Sequence, residues 1–461
     1  MALKIQKQLM DYQGKDRISS LPDSLLHHIL SSLKIKPIVR TSLLSKRWRY
    51  VWSSIPNLDF RYWRSSRSDI HLETERFMNF IDRMLPLLGT SNIHRFSLRC
   101  DELCDDSRIS AMVSSVIRCK VVKMNLIFKH KRPFLLPSTL FTCESLEKLW
   151  IRSSSVLYLP KSISFPRLKL LQLALVEFTD ECLTEQLFSN CPVLEELIIR
   201  WCNWVNMKAV CISAPALKCL IIDCIGDPLN INILHNCEVK IHAPSLVSLT
   251  YRDCIAKEFV FSSLSSLVDA KIDIDVGDSF PETRQEETEY CAAVTKFLRQ
   301  IVNVKHLKIS GNTLEVLSFA EDLLTDLPTF YNLIQLEVLS VVKYYAHKTL
   351  FPLIQTAPNL ESLVFCKVFS PYLHDDGDGW LLDMDTVSES LFRNIKFVQF
   401  KEFFGTPGEM KLARVILNNA SALQMMTITC TLSRDLSSKV VVMEELLRFP
   451  RGSPSCVIEF S

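Results

Sequence analysis

The stretch SLLSKRWRYVW (residues 42–52) sets two indole rings four residues apart, Trp48 and Trp52, among Lys46, Arg47 and Arg49. Rings threaded through cations can stack on bases and neutralise phosphates, which is nucleic-acid chemistry. On a helix, however, the same spacing puts Leu44, Trp48, Val51 and Trp52 on one side and Lys46, Arg47 and Arg49 on the other. That is the pattern of a docking helix with a wet side, and no nucleic-acid partner is expected from it. Other residues capable of chemistry are placed no better. Cys100 with Cys104, and HNC (235–237), lack the paired spacing of a zinc site. HDDGDGW (374–380) offers Asp375, Asp376 and Asp378 without the ligand spacing or closing glutamate of a calcium loop, and reads as a surface loop. Apart from the adjacent His27 and His28 the ten histidines sit singly, and there is no Gly-x-Ser-x-Gly, phosphate loop or metal-spaced histidine pair. No catalytic residue, metal or cofactor is expected.

The composition fits this reading. Of 461 residues 48% are hydrophobic and 23% charged, which excludes disorder. Only 10 are glycine, about a third of ordinary usage, so backbone-cradled phosphate sites have little to be built from. Residues 1–68 hold 13 Lys/Arg against 4 Asp/Glu, and the remainder 40 against 47, a basic head on a mildly acidic body. The beginning, MALKIQKQLMDYQGKDR, has no apolar signal core, and no run of about 18 apolar residues occurs, so neither a signal peptide nor a membrane span is expected. Sixteen cysteines scattered through apolar segments read as reduced, buried thiols of a cytoplasmic or nuclear protein.

The elements that position these residues begin at DRISSLPDSLLHHILSSLK. Ser20 is expected to cap a helix, with Pro22 in its first turn and Asp23 closing the box. Leu21, Leu25, Ile29 and Leu33 follow at steps of four, widened by Leu26 and Leu30. Pro37 should open a second short helix with Ile38, Val39 and Leu43, and a third should start at Ser45. Helices this few cannot bury so much apolar surface among themselves. The stripe must be covered either by a protein partner or by the rest of the chain, and spacing does not choose between them.

Leu21-Pro22, Ile29-Leu30, Val39-Arg40-Thr41-Ser42 and Ser45-Lys46-Arg47-Trp48, taken in order, resemble an F-box, the module that grips the Skp-type adaptor of cullin–RING ubiquitin ligases. The resemblance implies that Leu21, Pro22, Leu25, Ile29, Leu30, Val39, Leu43, Leu44 and Trp48 contact the adaptor or support that contact, with Trp52 packed inside the module.

Beyond it, an apolar-x-x-apolar-x-apolar pattern starts at 146, 168, 194, 217, 246, 304, 336 and 360, with weaker copies at 93, 121, 267, 395 and 423. The loose pattern alone proves nothing at this apolar content. The stricter Pro-x-Leu-x-x-Leu occurs five times, as in CPVLEEL and APALKCL, where about 0.4 would arise by chance. Upstream helices are expected in DECLTEQLFSNCP, in KTLFPLIQTAP and in TRQEETEYCAAVTKFLRQIV, the last boxed by Thr283 and Glu286. Strand-plus-helix units of about 20–29 residues are leucine-rich repeats, and these resemble the irregular kind found in plant F-box proteins. The final block, EFFGTPGEMKLARVILNNASALQMMTI followed by ELLRFPRGSPSCVIEF, resembles the FBD module. In it Thr406 should cap a helix, with Pro407 at its first turn and Glu409 closing the box.

The expected fold is therefore α/β. After a flexible N-terminus (1–15) come an F-box (16–62), a leucine-rich-repeat solenoid (63–385) with a parallel concave sheet and helices outside, and an FBD domain (386–461) capping it. The resemblance to plant F-box/leucine-rich-repeat/FBD proteins implies a non-catalytic substrate receptor, joined through a Skp-type adaptor to a cullin–RING ligase. The alternative is a repeat scaffold without a ligase role. The target's identity is not encoded in any motif, but alternation along the strands points Trp150, Arg152, Arg200, Asp223, Thr250, Arg252, Lys271, Asp273, His306 and Lys308 away from the core, where a target would bind.

Overall fold

A computed structural model describes residues 18, 20–31, 33, 35–44, 46–48, 51, 55–61, 69–84, 86, 93–129, 133, 135–225, 234, 237–262, 264–275, 283–339, 347–367, 390–431 and 436–461. The chain forms two compact units, 1–178 with 190–192, and 179–189 with 193–461.

The first unit opens with α1 (Asp23–Ser31), α2 (Ile35–Arg40) and a 3-10 turn (Thr41–Leu43). α1 starts later than a Ser20 cap would place it. The Pro22 carbonyl accepts its first hydrogen bond, from Leu26 N at 3.1 Å. α2 begins two residues before Pro37, which leaves the proline in a first turn where its missing N–H costs nothing. The helix expected from Ser45 is absent among the described residues, and 46–48 form a turn. Trp52, Arg49 and the side chain of Val39 lie outside the described residues, as do HDDGDGW and residues 1–15.

Then come β1 (Asn57–Phe60), α3 (Ile70–Met84), β2 (Arg95–Asp101), α4 (Asp106–Arg118), β3 (Lys123–Lys129), β4 (Lys148–Ser153), β5 (Leu170–Ala174) and the short β6 (Glu177–Phe178). Strands β1 to β5 pair in parallel and in chain order, in a register running Asn57, Arg95, Lys123, Lys148, Leu170. The repeated pattern supplies the wall behind them. Ile93-Phe96-Leu98, Val121-Met124-Leu126, Leu146-Leu149-Ile151 and Leu168-Leu171-Leu173 are all buried. Each strand is too short to stand alone, and each buried leucine contributes about 1.5–3 kcal/mol once its neighbours stack on it. Ile55-Leu58-Phe60 has the same pattern and is also buried. The parallel sheet therefore starts inside the segment assigned to the F-box.

The second unit contains α5 (Glu181–Ser189), β7 (Glu196–Arg200), β8 (Asn203–Trp204), β9 (Ala209–Ser213), β10 (Cys219–Asp223), β11 (Glu238–His242), β12 (Ser248–Asp253), β13 (Glu258–Phe261) and β14 (Asp269–Ile274). It continues with α6 (Arg284–Gln300), β15 (His306–Ile309), α7 (Gly311–Leu317), β16 (Gln335–Val338), α8 (His347–Gln355), β17 (Ser362–Phe365), β18 (Phe397–Phe403), α9 (Pro407–Asn419), β19 (Met425–Cys430), α10 (Leu436–Arg448) and β20 (Val457–Phe460). Its main sheet is parallel, in the order β7-β10-β12-β14-β15-β16-β17-β18-β19-β20. The segment resembling FBD thus adds strands to the repeat ladder.

Two features depart from expectation. In the repeats around residues 201–262 the returning segments are strands, and β9, β11 and β13 form a second parallel sheet where helices were expected. Alternation explains it: Val210 and Ile212, then Val239 and Ile241, are buried while their neighbours are not. The phase at residue 336 is also displaced by three. Leu333, Leu336 and Val338 form the buried triad, because LIQLEVLSV contains two overlapping matches.

The capping boxes at Thr283/Glu286 and Thr406/Glu409 are both formed. Glycine scarcity also has a backbone consequence: Leu175 and Trp201, directly after β5 and β7, take positive φ of 56° and 51°. Such turns cost an L-residue roughly 1–2 kcal/mol.

Candidate functional site

The first site lies on α1, α2 and the turns up to Val51. Leu26 and Leu30 are 0% and 1% exposed, while Leu25 and Ile29 are 49% and 44% exposed. The stripe read as one face is two. Ile35, Ile38, Trp48 and Val51 join the buried side. Leu33, Leu43 and Leu44 are exposed as well, Leu43 at 85%. Leu30 and Trp48 are therefore core residues that can support an adaptor contact but not make one, and a buried Trp48 ring cannot stack on bases. Leu44 is exposed while Trp48 is buried, so the two do not share a side. Leu21 is half-buried and Pro22 exposed.

Arg47 is exposed, on the wet side as expected, and it is also a brace. Its Nη2 donates to the Leu21 carbonyl and to Asp23 Oδ1, each at 2.6 Å, tying the turn at 46–48 to the start of α1. Asp23 is also favourably placed at a helix N-terminus.

The second site is the outward row of each sheet. In the first unit Trp150 lies beside Asn125 and Gln172 on the neighbouring strands, and Arg152 is exposed. In the second unit Arg200, Asp223, Arg252 and Asp273 occupy one register row across β7, β10, β12 and β14. Arg252 Nη1 lies 3.2 Å from Asp223 Oδ2, and its Nε lies 3.3 Å from Asp273 Oδ2. His306 Nδ1 lies 2.8 Å from Asp269 Oδ1. Thr250 and Lys271 are register neighbours, as are Lys271 and Lys308. The expected recognition residues do face outward, but Asp223, Arg252, Asp273, His306 and Lys308 are already engaged with their own sheet.

Glu337 was hidden by the displaced phase. It takes the outward position on β16 that Lys308 has on β15, and their Nζ–Oε2 distance is 2.8 Å. Lys401 Nζ pairs with Oε1 of the same carboxylate, and the Cys366 thiol donates to that oxygen at 3.0 Å. Burial pushes the Glu337 carboxyl up, but hydrogen bonds from Lys308, Lys401 and Cys366 outweigh it and bring its pKa to about 2.

Nothing at these sites resembles a reaction centre. Among the described residues no group of three or more His, Cys, Asp or Glu could hold a metal ion. Cys100 and Cys104 are buried, and their mutual hydrogen bond together with burial pushes the Cys100 thiol well up, away from a ligating thiolate. His235 lies outside the described residues. No helix among the described residues is long and apolar enough to cross a membrane.

Family models match this chain in three places: an F-box domain over residues 18–60, the LRR repeats of the FBD-associated F-box protein At5g56370 over 109–258, and FBD over 384–428. Similar proteins come from Arabidopsis thaliana. F-box/LRR-repeat protein At4g14103 is 32% identical over 370 residues, 77% of this chain and 93% of its own length. F-box/LRR-repeat protein At3g59200 is 30% identical over 98% of this chain and 89% of its own length. FBD-associated F-box protein At5g22730 is 29% identical over 96% of this chain and 94% of its own. These likenesses run through the exposed helix stripe, the strand ladder and the strands that extend it, and the chain belongs to the plant F-box/LRR-repeat family, with an FBD region after its repeats.

Proposed function

We propose that this chain is the substrate-recognition subunit of a Skp–cullin–F-box type ubiquitin ligase. Its F-box holds a Skp-type adaptor, and the open side of its repeats holds a target protein. The observation that carries this reading is the exposed row Leu25, Ile29, Leu33, Leu43 and Leu44, in a segment that matches the F-box family while its opposite side is a finished core. An uncovered apolar row of this kind favours a partner helix. The chain contributes no chemistry of its own. It raises the local concentration of a target beside the conjugating enzyme, which performs the transfer. The many buried thiols suit the reducing cytosol or nucleus.

The test is association of the full chain with a purified Skp-type adaptor. Leu25→Asp and Ile29→Asp each put a charge into the proposed interface and should weaken association at least about a hundredfold, close to 2.7 kcal/mol. Association that survives both substitutions would remove this assignment.

A further inference from the structure

On the outward side of β15, β16 and β18 two lysines share one carboxylate. The Glu337 side chain is 5% exposed, whereas those of Lys308 and Lys401 are 47% and 42% exposed. The carboxylate is thus the floor and the ammonium groups are the rim. Each ammonium carries three donors, and Glu337 occupies one on each. Lys271, in register with Lys308 on β14, extends the cationic row. The register slip of β18 between Phe400 and Phe403 leaves Lys401 and Glu402 both exposed, and such bulges re-aim side chains. At the centre two lysine charges, Lys308 and Lys401, meet the single charge of Glu337.

We infer that Lys308 and Lys401 form an anion site that takes a side-chain carboxylate from an acidic segment of a partner protein. Glu337 holds both ammonium groups in place before any ligand arrives, so little side-chain freedom is left to lose on binding. The charge excess of the cluster is positive, which favours an acidic partner and repels a basic one. An extended acidic segment can set further carboxylates along the row toward Lys271. If the chain is a receptor as proposed above, this names the chemistry of its target, but the binding itself does not require the adaptor.

The test is fluorescence anisotropy with a fluorescein-labelled hexaglutamate peptide, titrated with the full chain with and without the adaptor. Saturable binding is expected, weakened about tenfold by Lys308→Gln with Lys401→Gln and kept within about twofold by the two Lys→Arg changes. Glu337→Gln removes the competing charge but keeps an acceptor, and should tighten binding about threefold or more. Because the Gln pair could loosen the sheet, melting curves accompany each variant, and Glu337→Gln decides the matter if the pair unfolds. Absence of binding, or binding indifferent to Glu337→Gln and to the lysine changes, would overturn the inference. So would displacement by inorganic phosphate at equal concentration, which would mark a small-anion site. Adaptor association that fails while peptide binding holds counts against the receptor reading alone; the reverse counts against this site alone.

Discussion

Leu25 and Leu26 are consecutive in sequence and opposite in fate: Leu26 is fully buried in the core of the N-terminal helices, and Leu25 is half exposed on their outer side. The pair separates folding from binding. Leu26→Ala should cost about 2–5 kcal/mol of stability. Leu25→Ala should change stability by less than about 0.5 kcal/mol while weakening adaptor association. Thermal melting and adaptor titration of both variants check this, and equal effects of the two on melting would contradict it.

The buried aromatic cluster behind β12 should be the most sensitive point of the second unit. Phe297 lies 4.6 Å from Phe259 and 5.5 Å from Tyr251, ring centre to ring centre, and Gln300 bonds the backbone of Phe259 and Phe261. Phe297→Ala should cost about 3–5 kcal/mol. Thr283→Ala at the cap of the same helix should cost only about 1 kcal/mol. Denaturant midpoints measure both.

Two glycines in the last eighty residues cannot be replaced freely. A Cβ on Gly452 would sit 2.4 Å from the Asn418 carbonyl oxygen, and one on Gly405, at φ +70°, would sit 2.8 Å from Val442 Cγ2. Gly452→Ala meets backbone and should cost about 1–3 kcal/mol. For Gly405→Ala, adding Val442→Ala should recover part of the loss, since the side-chain clash is relieved and the strained φ remains. Melting of the two single variants and the double variant tests the difference.

Glu337 gives the fold an acid-sensitive component. Its folded pKa, about 2, is below the ordinary 4.5, so its ionised form stabilises the fold above about pH 4.5, and that contribution is lost as pH falls toward 2. The melting temperature of the native chain should fall more steeply over this window than that of Glu337→Gln. Parallel curves would show that the two lysines do not hold the carboxylate down.

Strand phase was readable because the inward positions repeat at a fixed spacing whatever the intervening residues are. At Leu333–Val341 two phases fit equally, and choosing the later one concealed Glu337. The first strand is not legible in the sequence because its triad, Ile55-Leu58-Phe60, runs on directly from the motif resembling an F-box. The second sheet of β9, β11 and β13 escaped because alternation over five residues is weak beside an expectation of helices. Which strand residues alternate away from the buried positions follows from the period of two. Their pairing was not legible, because Arg252 meets partners 29 and 21 residues away, and only the stacking of strands brings them together. On α1 the split between Leu25 and Leu26 depends on which side the second helix occupies, and a helical period alone does not fix that.

Hydrogen–deuterium exchange of the full chain with and without a Skp-type adaptor tests the central claim most directly. Slowed exchange in Asp23–Ser31 and at Leu43 and Leu44, with the strands from β7 to β20 unchanged, is the result the exposed row predicts. Unchanged exchange at Asp23–Leu44 under saturating adaptor, or protection only in the repeat strands, would contradict it.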